Sequence, residues 1–192
     1  MKFLPAFFFV LLVIASSCNE HPPKAGTVKV DDTAKFYPLK DFFKEQIQYV
    51  DLRNFSLYRI IIKDGKKDSV SINKEQFIDL ASIFLNKEKS FSKEKASFKE
   101  SAFTDLSTES VTFTYQSIDS KTEIQNITIL LDEQTQLVKR VFIRSEYTKG
   151  DTSFTEQCNW KAGKSFQVNR TLTAKTGYTS TERNYINWND TP

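Results

Sequence analysis

The sequence predicts an α+β domain in which two helices pack on a curved antiparallel β-meander of about six to eight strands. Residues 38–51 and 73–85 repeat apolar side chains at the three- and four-residue spacing of amphipathic helices. From residue 101 onward the apolar period changes to two, and turn residues recur at roughly the eight- to twelve-residue spacing of a meander. The chain is 39% hydrophobic and contains 17 Phe, which is enough apolar surface for one core.

The first helix is predicted over residues 38–51, because Pro38 is tolerated in a first helical turn and apolar residues then recur on one side. Its polar side carries Lys40, Lys44, Glu45 and Gln48. We expect this helix to pack on the sheet, although the same apolar side would also suit the wall of a ligand groove. The predicted apolar side consists of Leu39, Phe42, Phe43, Ile47 and Val50.

A hairpin and the second helix follow. Residues 55–63 are rich in β-branched Ile and predict a strand, and Asp64-Gly65 is a hairpin turn signal that leads into a second strand over residues 68–72. Asn73 and Gln76 have the spacing of a capping box, so a helix is expected from there to about residue 85. Its predicted buried stripe is Phe77, Ile78, Leu80, Ala81, Phe84 and Leu85.

Residues 86–100 form the most charged stretch, with Lys and Glu closely interspersed. Alternating charge of this kind usually marks a solvated loop or a short helix. A patch for an anionic partner is the alternative interpretation.

The remaining chain alternates apolar and polar side chains, so one face of the predicted sheet is apolar and the other is rich in Thr, Asn, Gln and Lys. The last segment is more polar, because Glu182 and Asn184 share a face with Ile186 and Trp188. We expect this segment to be a protected edge strand. The alternative is a face that is partly open to water or lines a wet cavity.

The residue inventory excludes several kinds of chemistry. The one histidine, His21, precedes the predicted domain, and the five glycines are scattered without a phosphate-binding motif. We therefore predict no catalytic, cofactor or metal site and no enzyme. A two-carboxylate hydrolase is the weakest alternative, because Glu109, Glu123 and Glu182 are isolated strand carboxylates that would have to meet in space.

Charge and cysteine content add two expectations. The formal net charge of +3 is too small, and its residues too interspersed, to predict a nucleic-acid partner. Of the two cysteines, Cys158 lies in the predicted sheet and is expected to be buried as a small apolar side chain. A reactive or intermolecular thiol is the alternative.

The first 18 residues have the composition of an export signal. Lys2 is followed by an apolar run over residues 3–15 that is interrupted only by Pro5 and is shorter than the roughly 20 residues needed to span a membrane. The run ends in Ala15-Ser16-Ser17, directly before Cys18.

This leader resembles the lipobox of bacterial lipoproteins, although Ala15 stands where that family prefers Leu. The resemblance implies a signal peptide at residues 1–17 and lipid on Cys18. The low apolar periodicity of the next residues predicts a tether over residues 18–35, and the remaining length fits a single domain over residues 36–192. The alternative is an ordinary secretory leader with an incidental cysteine. Asn19, where some bacteria use Asp for inner-membrane retention, favours the outer membrane.

Together these expectations describe an envelope lipoprotein held at the membrane by its lipid anchor, with a non-catalytic domain that binds an envelope protein or another component of the envelope. The alternative is a carrier of an apolar ligand or lipid, enclosed in a cavity between sheet and helices. That arrangement looks like the outer-membrane lipoprotein carriers only in its predicted order of elements.

Overall fold

The computed structural model describes residues 36–190, which form two α-helices, one short 3-10 helix and nine strands. The predicted leader, Cys18 and the tether lie outside the described residues. The helices are α1 (Leu39–Asp51) and α2 (Lys74–Lys93), and the 3-10 helix is Lys95–Ser97. The strands are β1 (Tyr58–Lys63), β2 (Lys66–Ser71), β3 (Phe98–Asp105), β4 (Ser110–Ser117), β5 (Ile124–Asp132), β6 (Val138–Lys149), β7 (Thr152–Lys161), β8 (Ser165–Ala174) and β9 (Thr179–Asn187).

The predicted α+β class is confirmed, but the sheet has nine strands rather than six to eight. Its order is β2-β1-β9-β8-β7-β6-β5-β4-β3, and every described pair of neighbours is antiparallel. Two of the nine strands, β1 and β2, come from the early hairpin, which joins the end of the meander. The sheet is open, because β2 and β3 lie at its opposite edges.

The last strand is therefore not an edge strand, and this prediction was wrong. β1 pairs with β9 along its whole length, from Tyr58 opposite Asn187 to Lys63 opposite Glu182. The hairpin turn is also tied to β9, since the Asp64 carboxylate accepts hydrogen bonds from the Ser180 hydroxyl and the Thr181 amide. Because β1 and β9 are far apart in the sequence, no local sequence pattern predicts that they pair.

Helix α1 agrees with its prediction. Pro38 occupies the position just before the first helical residue, and the predicted polar residues are exposed. Leu39, Phe42, Phe43 and Val50 are buried, and Ile47 is partly buried against the same core.

Helix α2 begins as predicted but extends beyond residue 85 to Lys93. The Asn73 side chain accepts a hydrogen bond from the Gln76 amide, and the Gln76 side chain accepts one from the Asn73 amide, which completes the capping box. Ile78 is 40% exposed and does not belong to the buried stripe, whereas Phe91, in the charged stretch, is buried. Phe91 continues the apolar stripe by two more turns and so extends the helix.

The charged stretch over residues 86–100 is accordingly neither a loop nor wholly solvated. Most of it belongs to α2 and the 3-10 helix, and β3 begins at Phe98. Lys87 and Glu88 are buried despite their charge. Charged side chains are rarely buried without partners, so this burial predicts compensating ion pairs or hydrogen bonds nearby.

A cluster of aromatic rings joins the helices to the sheet. The Phe84 ring of α2 lies 4.9 Å from that of Trp160 on β7 and 5.3 Å from that of Phe166 on β8, measured between ring centroids. From α1, Phe43 lies 5.3 Å from Phe84 and 5.5 Å from Trp160. All four of these side chains are essentially inaccessible to water. Both α-helices therefore cover the same face of the sheet.

The opposite face of the sheet carries the polar alternation that the sequence predicts. Here we call it the open face, because both described α-helices pack on the other side. Its central strands present mainly Asn, Gln, Thr and Arg side chains, most of them partly exposed. This division into an apolar covered face and a polar open face follows from the two-residue side-chain period of a strand.

Replacing Phe84 with Ala should destabilise the domain by about 3–5 kcal/mol, because the change removes a ring from the centre of the aromatic cluster and leaves a cavity. The matched control is Ile78→Ala on the same helix, where the exposed side chain makes a loss within about 0.5 kcal/mol the expectation. Urea denaturation followed by tryptophan fluorescence measures both changes. Equal effects of the two substitutions would contradict the assignment of the cluster as the link between helices and sheet.

Candidate functional site

The two cysteines lie in very different places. The predicted lipidation residue, Cys18, is outside the described residues. Cys158 is a free, buried thiol on β7, with 2% of its surface exposed, which confirms the expectation of burial. Burial, together with the nearby Glu156 carboxylate, raises the pKa of the Cys158 thiol to about 12. Because the thiolate is the reactive form, Cys158 is inert in the folded domain.

A buried ion-pair cluster explains how α2 accommodates Lys87. The Lys87 ammonium lies 2.7 Å from a carboxylate oxygen of Glu123 and 2.5 Å from one of Glu156. The other oxygen of Glu156 lies 2.6 Å from Nε of Arg170 on the neighbouring strand. The Tyr147 hydroxyl donates a further hydrogen bond to Glu156, at 3.2 Å. We call these five side chains the Lys87 cluster.

The charges of the Lys87 cluster stabilise one another. Burial alone would raise the pKa of Glu156, but hydrogen bonds and charge from Lys87 and Arg170 outweigh it, and the pKa is lowered. Burial would likewise lower the pKa of Lys87, but its two carboxylate partners outweigh that effect and raise the pKa. Both groups are therefore held in their charged forms.

This arrangement is suited to structure rather than to catalysis. Glu123 and Glu156 converge on one ammonium, but a carboxyl group that acts as a general acid needs a raised pKa, and that of Glu156 is lowered. The cluster instead fastens α2 to β7 and β8. The sequence analysis missed it, because Lys87 was assigned to a solvated stretch and neither Glu156 nor Arg170 was considered.

The three carboxylates considered from the sequence do not come together. Glu123 belongs to the Lys87 cluster. Glu109 lies in the β3–β4 turn, with a positive φ of 46°, next to Gln134. Glu182 lies on β9, where it accepts a hydrogen bond from Asn184. Glu109 and Glu123 thus lie just outside strands, contrary to prediction, and the meeting of these three carboxylates that the hydrolase alternative would require does not occur.

The open face brings together residues that the sequence analysis described only as polar alternation. Residues that pair across β5 to β9 share this face and form three rows, which run across the strands. The first row is Asn126, Arg144, Gln157, Asn169 and Arg183; the second is Thr128, Phe142, Asn159, Gln167 and Tyr185; the third is Leu130, Arg140, Lys161, Ser165 and Asn187. The side chains of these rows differ in chemistry but point to one side of the sheet.

Two adjoining pockets lie on this face. One has a volume of about 260 Å³ and is lined mainly by amides, with Phe142 and Arg144. The second, of about 140 Å³, includes Arg140 and Tyr185. Asn159 and Gln167 line both pockets, so the two form one groove across the middle of the sheet. We call this feature the Asn159 groove.

The Asn159 side chain is not satisfied by the fold. Its amide oxygen is buried and accepts no hydrogen bond from the described residues. An orphaned acceptor costs roughly 1–3 kcal/mol, so the domain carries this amide at the expense of its own stability. An unsatisfied buried group of this kind calls for an explanation beyond the stability of the fold.

The open face has an excess of positive charge. Arg144 pairs with Glu146 at 2.6 Å, and Lys161 pairs with Asp190 at 2.6 Å. Arg140 and Arg183, which flank the central amides, form no ion pair within residues 36–190. These two guanidinium groups remain free to interact with an anionic partner.

Replacing Lys87 with Met should destabilise the domain by about 3–5 kcal/mol, because it leaves a buried carboxylate without its main cation. Lys89→Met is the matched control: it removes an exposed Lys of the same helix and should change the free energy of unfolding by less than about 0.5 kcal/mol. The double variant Lys87→Met/Glu156→Leu should regain much of the lost stability, because it no longer buries an unpaired charge. Chemical denaturation of the four proteins tests this. A double variant no more stable than Lys87→Met would contradict the account.

The stability of the domain should fall as the pH rises from 9 through 12, since the Cys158 pKa is raised from 9.0 to about 12 on folding. The thiol of the unfolded chain loses its proton first. Its contribution to the free energy of unfolding is therefore complete below pH 9 and is lost progressively between pH 9 and 12. The raised pKa of Tyr115, normally 10.0, adds a further loss above pH 10. In a Cys18→Ser background, Cys158→Ala should therefore abolish the decline between pH 9 and 10, as measured by urea denaturation. A decline that persists unchanged would refute this assignment.

Comparisons with known proteins add no further identification. No protein-family model, curated protein or solved structure matches this chain. Within residues 36–190, no group of three or more His, Cys, Asp or Glu side chains is arranged to hold a metal ion. In the same part of the chain, no helix combines the length and the apolar character needed to cross a membrane.

Proposed function

We propose that this chain is a lipoprotein of the bacterial cell envelope, anchored by lipid on Cys18 and directed to the outer membrane, whose domain is a non-catalytic binding module. The leader that ends in Ala15-Ser16-Ser17-Cys18 supports the anchor. The open face of the sheet supports the binding role, and it is the observation that carries the proposal. Two or three acyl chains make a durable anchor where one chain gives only marginal, reversible binding.

The chemistry of the described side chains favours binding over catalysis. Catalytic carboxylates and thiols need pKa values close to the working pH. In this domain the raised pKa of Cys158 keeps its thiol protonated and unreactive. The lowered pKa of Glu156 keeps its carboxylate ionised and paired with its cations. The Asn159 groove contains amides, which bind by hydrogen bonding without exchanging protons at neutral pH.

A carrier of apolar ligands would need an apolar cavity between the helices and the sheet, on the order of 300 Å³ or more. Aromatic rings fill the centre of that region instead, where the ring centroids of Phe43, Phe84, Trp160 and Phe166 lie 4.9–5.5 Å apart. A pocket of about 400 Å³ lies at its edge, between α1 and residues 137, 138 and 162, but it opens to solvent and is lined partly by Asp41 and Glu45. Of the two pockets on the open face, the larger has a volume of about 260 Å³, opens on the surface of the sheet and has five amide side chains in its lining. The packing therefore favours a ligand on the surface over one enclosed within the domain.

The anchor is tested by radiolabelled palmitate and membrane fractionation. The wild-type chain should incorporate label and sediment with the outer membrane, and Cys18→Ser should lose both properties, because it removes the sulfur that carries the lipid. Cys158→Ser is the matched control and should keep both, since its thiol is buried. Unlabelled wild-type protein, or Cys18→Ser that still sediments with membranes, would refute the anchor.

The binding role is tested on the same labelled protein. Crosslinking in intact cells, followed by purification and mass spectrometry of proteins, lipids and glycans, should recover a partner from the wild-type chain. Asn159→Ala should recover much less of that partner, whereas Lys89→Gln, on the helix side, should recover as much as wild type. Recovery of an apolar lipid by all three proteins would contradict surface binding and favour the carrier.

A further inference from the structure

We propose that the open face binds an acidic polysaccharide, a chain of polyhydroxylated sugar rings that carries carboxylate groups, with the Asn159 groove at the centre of the site. This inference rests on the proposed binding function and specifies its ligand class. It is drawn from three observations on the open face: its amides, its aromatic rings and its unpaired guanidinium groups.

The amides match the hydroxyl groups of a sugar. Asn126, Gln157, Asn159, Gln167 and Asn169 all line the larger pocket. Each primary amide presents two donors and an acceptor, and each sugar hydroxyl is both a donor and an acceptor. A dense set of amides can therefore satisfy neighbouring hydroxyls at once, whereas an apolar ligand would desolvate the same groups without replacing their hydrogen bonds.

The orphaned oxygen of Asn159 belongs to this set. Because it accepts no hydrogen bond within the described chain, the fold itself does not account for this amide. A ligand hydroxyl that donates to this oxygen would complete its hydrogen bonding.

Aromatic rings on the same row supply the apolar part of the site. Phe142, 38% exposed, is paired directly with Asn159 across β6 and β7. On β9, two strands beyond Asn159, Tyr185 is paired with Gln167 of β8. Sugar rings have C–H faces that pack on aromatic faces, while their hydroxyls point sideways towards polar groups. A row in which two aromatic rings flank two amides fits both features of a sugar.

The direction of the rows also suits a chain ligand. Neighbouring strands lie about 4.7–4.9 Å apart, so each step along a row moves by that distance. The repeat of a polysaccharide is similar to this step, so successive sugars can meet successive strands. The second row presents Phe142, Asn159, Gln167 and Tyr185 in this order, one from each of β6 to β9.

The charge of the site selects an acidic chain. Arg140 lies directly opposite Lys161 across β6 and β7, and like charges in that position repel each other. Asp190 pairs with Lys161, but Arg140 and Arg183 have no carboxylate partner within residues 36–190. Carboxylates at intervals along a polysaccharide would pair with these guanidinium groups and relieve the repulsion.

The test is native gel electrophoresis of the full chain, in mild detergent, through gels that contain a dissolved polymer. Alginate is the acidic polysaccharide probe. Polyglutamate carries similar charge without hydroxyls, and dextran carries hydroxyls without charge. Alginate should retard the wild-type chain with an apparent affinity at least about tenfold higher than either of the other two polymers, because only alginate engages both the amides and the guanidinium groups.

Two variants locate the site. Arg140→Gln and Asn159→Ala should each lower the affinity for alginate by about tenfold. Lys89→Gln, which removes the same charge as Arg140→Gln but from the exposed side of α2, should leave it unchanged. Asn159→Ala removes an orphaned acceptor, so its thermal stability should equal or exceed that of wild type while its binding is lost. A merely structural role for Asn159 would not produce that combination.

Three results would overturn the proposal: no retardation by alginate, equal retardation by polyglutamate, or unchanged binding by both open-face variants. The crosslinking experiment separates this failure from failure of the proposed function. If alginate does not bind but Asn159→Ala still loses a crosslinked partner that Lys89→Gln keeps, the ligand class is wrong and the binding role of the open face stands. If alginate does not bind and Asn159→Ala recovers as much of the crosslinked partner as wild type, the binding role of the open face fails as well.

Discussion

The aromatic cluster of Phe43, Phe84, Trp160 and Phe166 is the interaction on which the rest of the domain depends. It joins α1 and α2 to adjacent strands in the middle of a nine-stranded sheet. An amphipathic helix is marginal alone in water and gains most of its stability from packing its apolar side. Since both helices pack on the same face, the cluster also decides that the other face remains uncovered. The open face is thus a consequence of core packing.

The covered face changes character along its strands. On β7, Trp160 and Cys158 belong to the apolar core, and Glu156, two residues further on the same face, belongs to the Lys87 cluster. The same change occurs on β8, from Phe166 to Arg170. The helices are therefore held by apolar packing at one end of these strands and by buried ion pairs at the other. The contacts that hold the helices thus all lie on the covered face, and the open face remains accessible to a partner.

Local patterns were sufficient for most single elements. Three features were predicted correctly: the capping box of Asn73 and Gln76, the hairpin turn at Asp64-Gly65 and the buried side of α1. Each depends on residues that are close together in the sequence. The errors arose where distant residues decide. Lys87 was placed in a solvated stretch because its carboxylate partners lie 36 and 69 positions away in the sequence. Local charge alternation cannot reveal such pairing.

The sequence by itself determined the secondary-structure class, the two-sided polarity of the sheet, the burial of Cys158 and the resemblance of its leader to a lipobox, because these follow from residue type and short-range period. Only the tertiary structure decided that β1 joins β9, that Glu123 and Glu156 meet at Lys87, and that Asn159, Gln167 and Phe142 share one groove. The physical reason is register. Which residues stand side by side on a sheet depends on strand order and pairing, and those are set by the packing of the whole core.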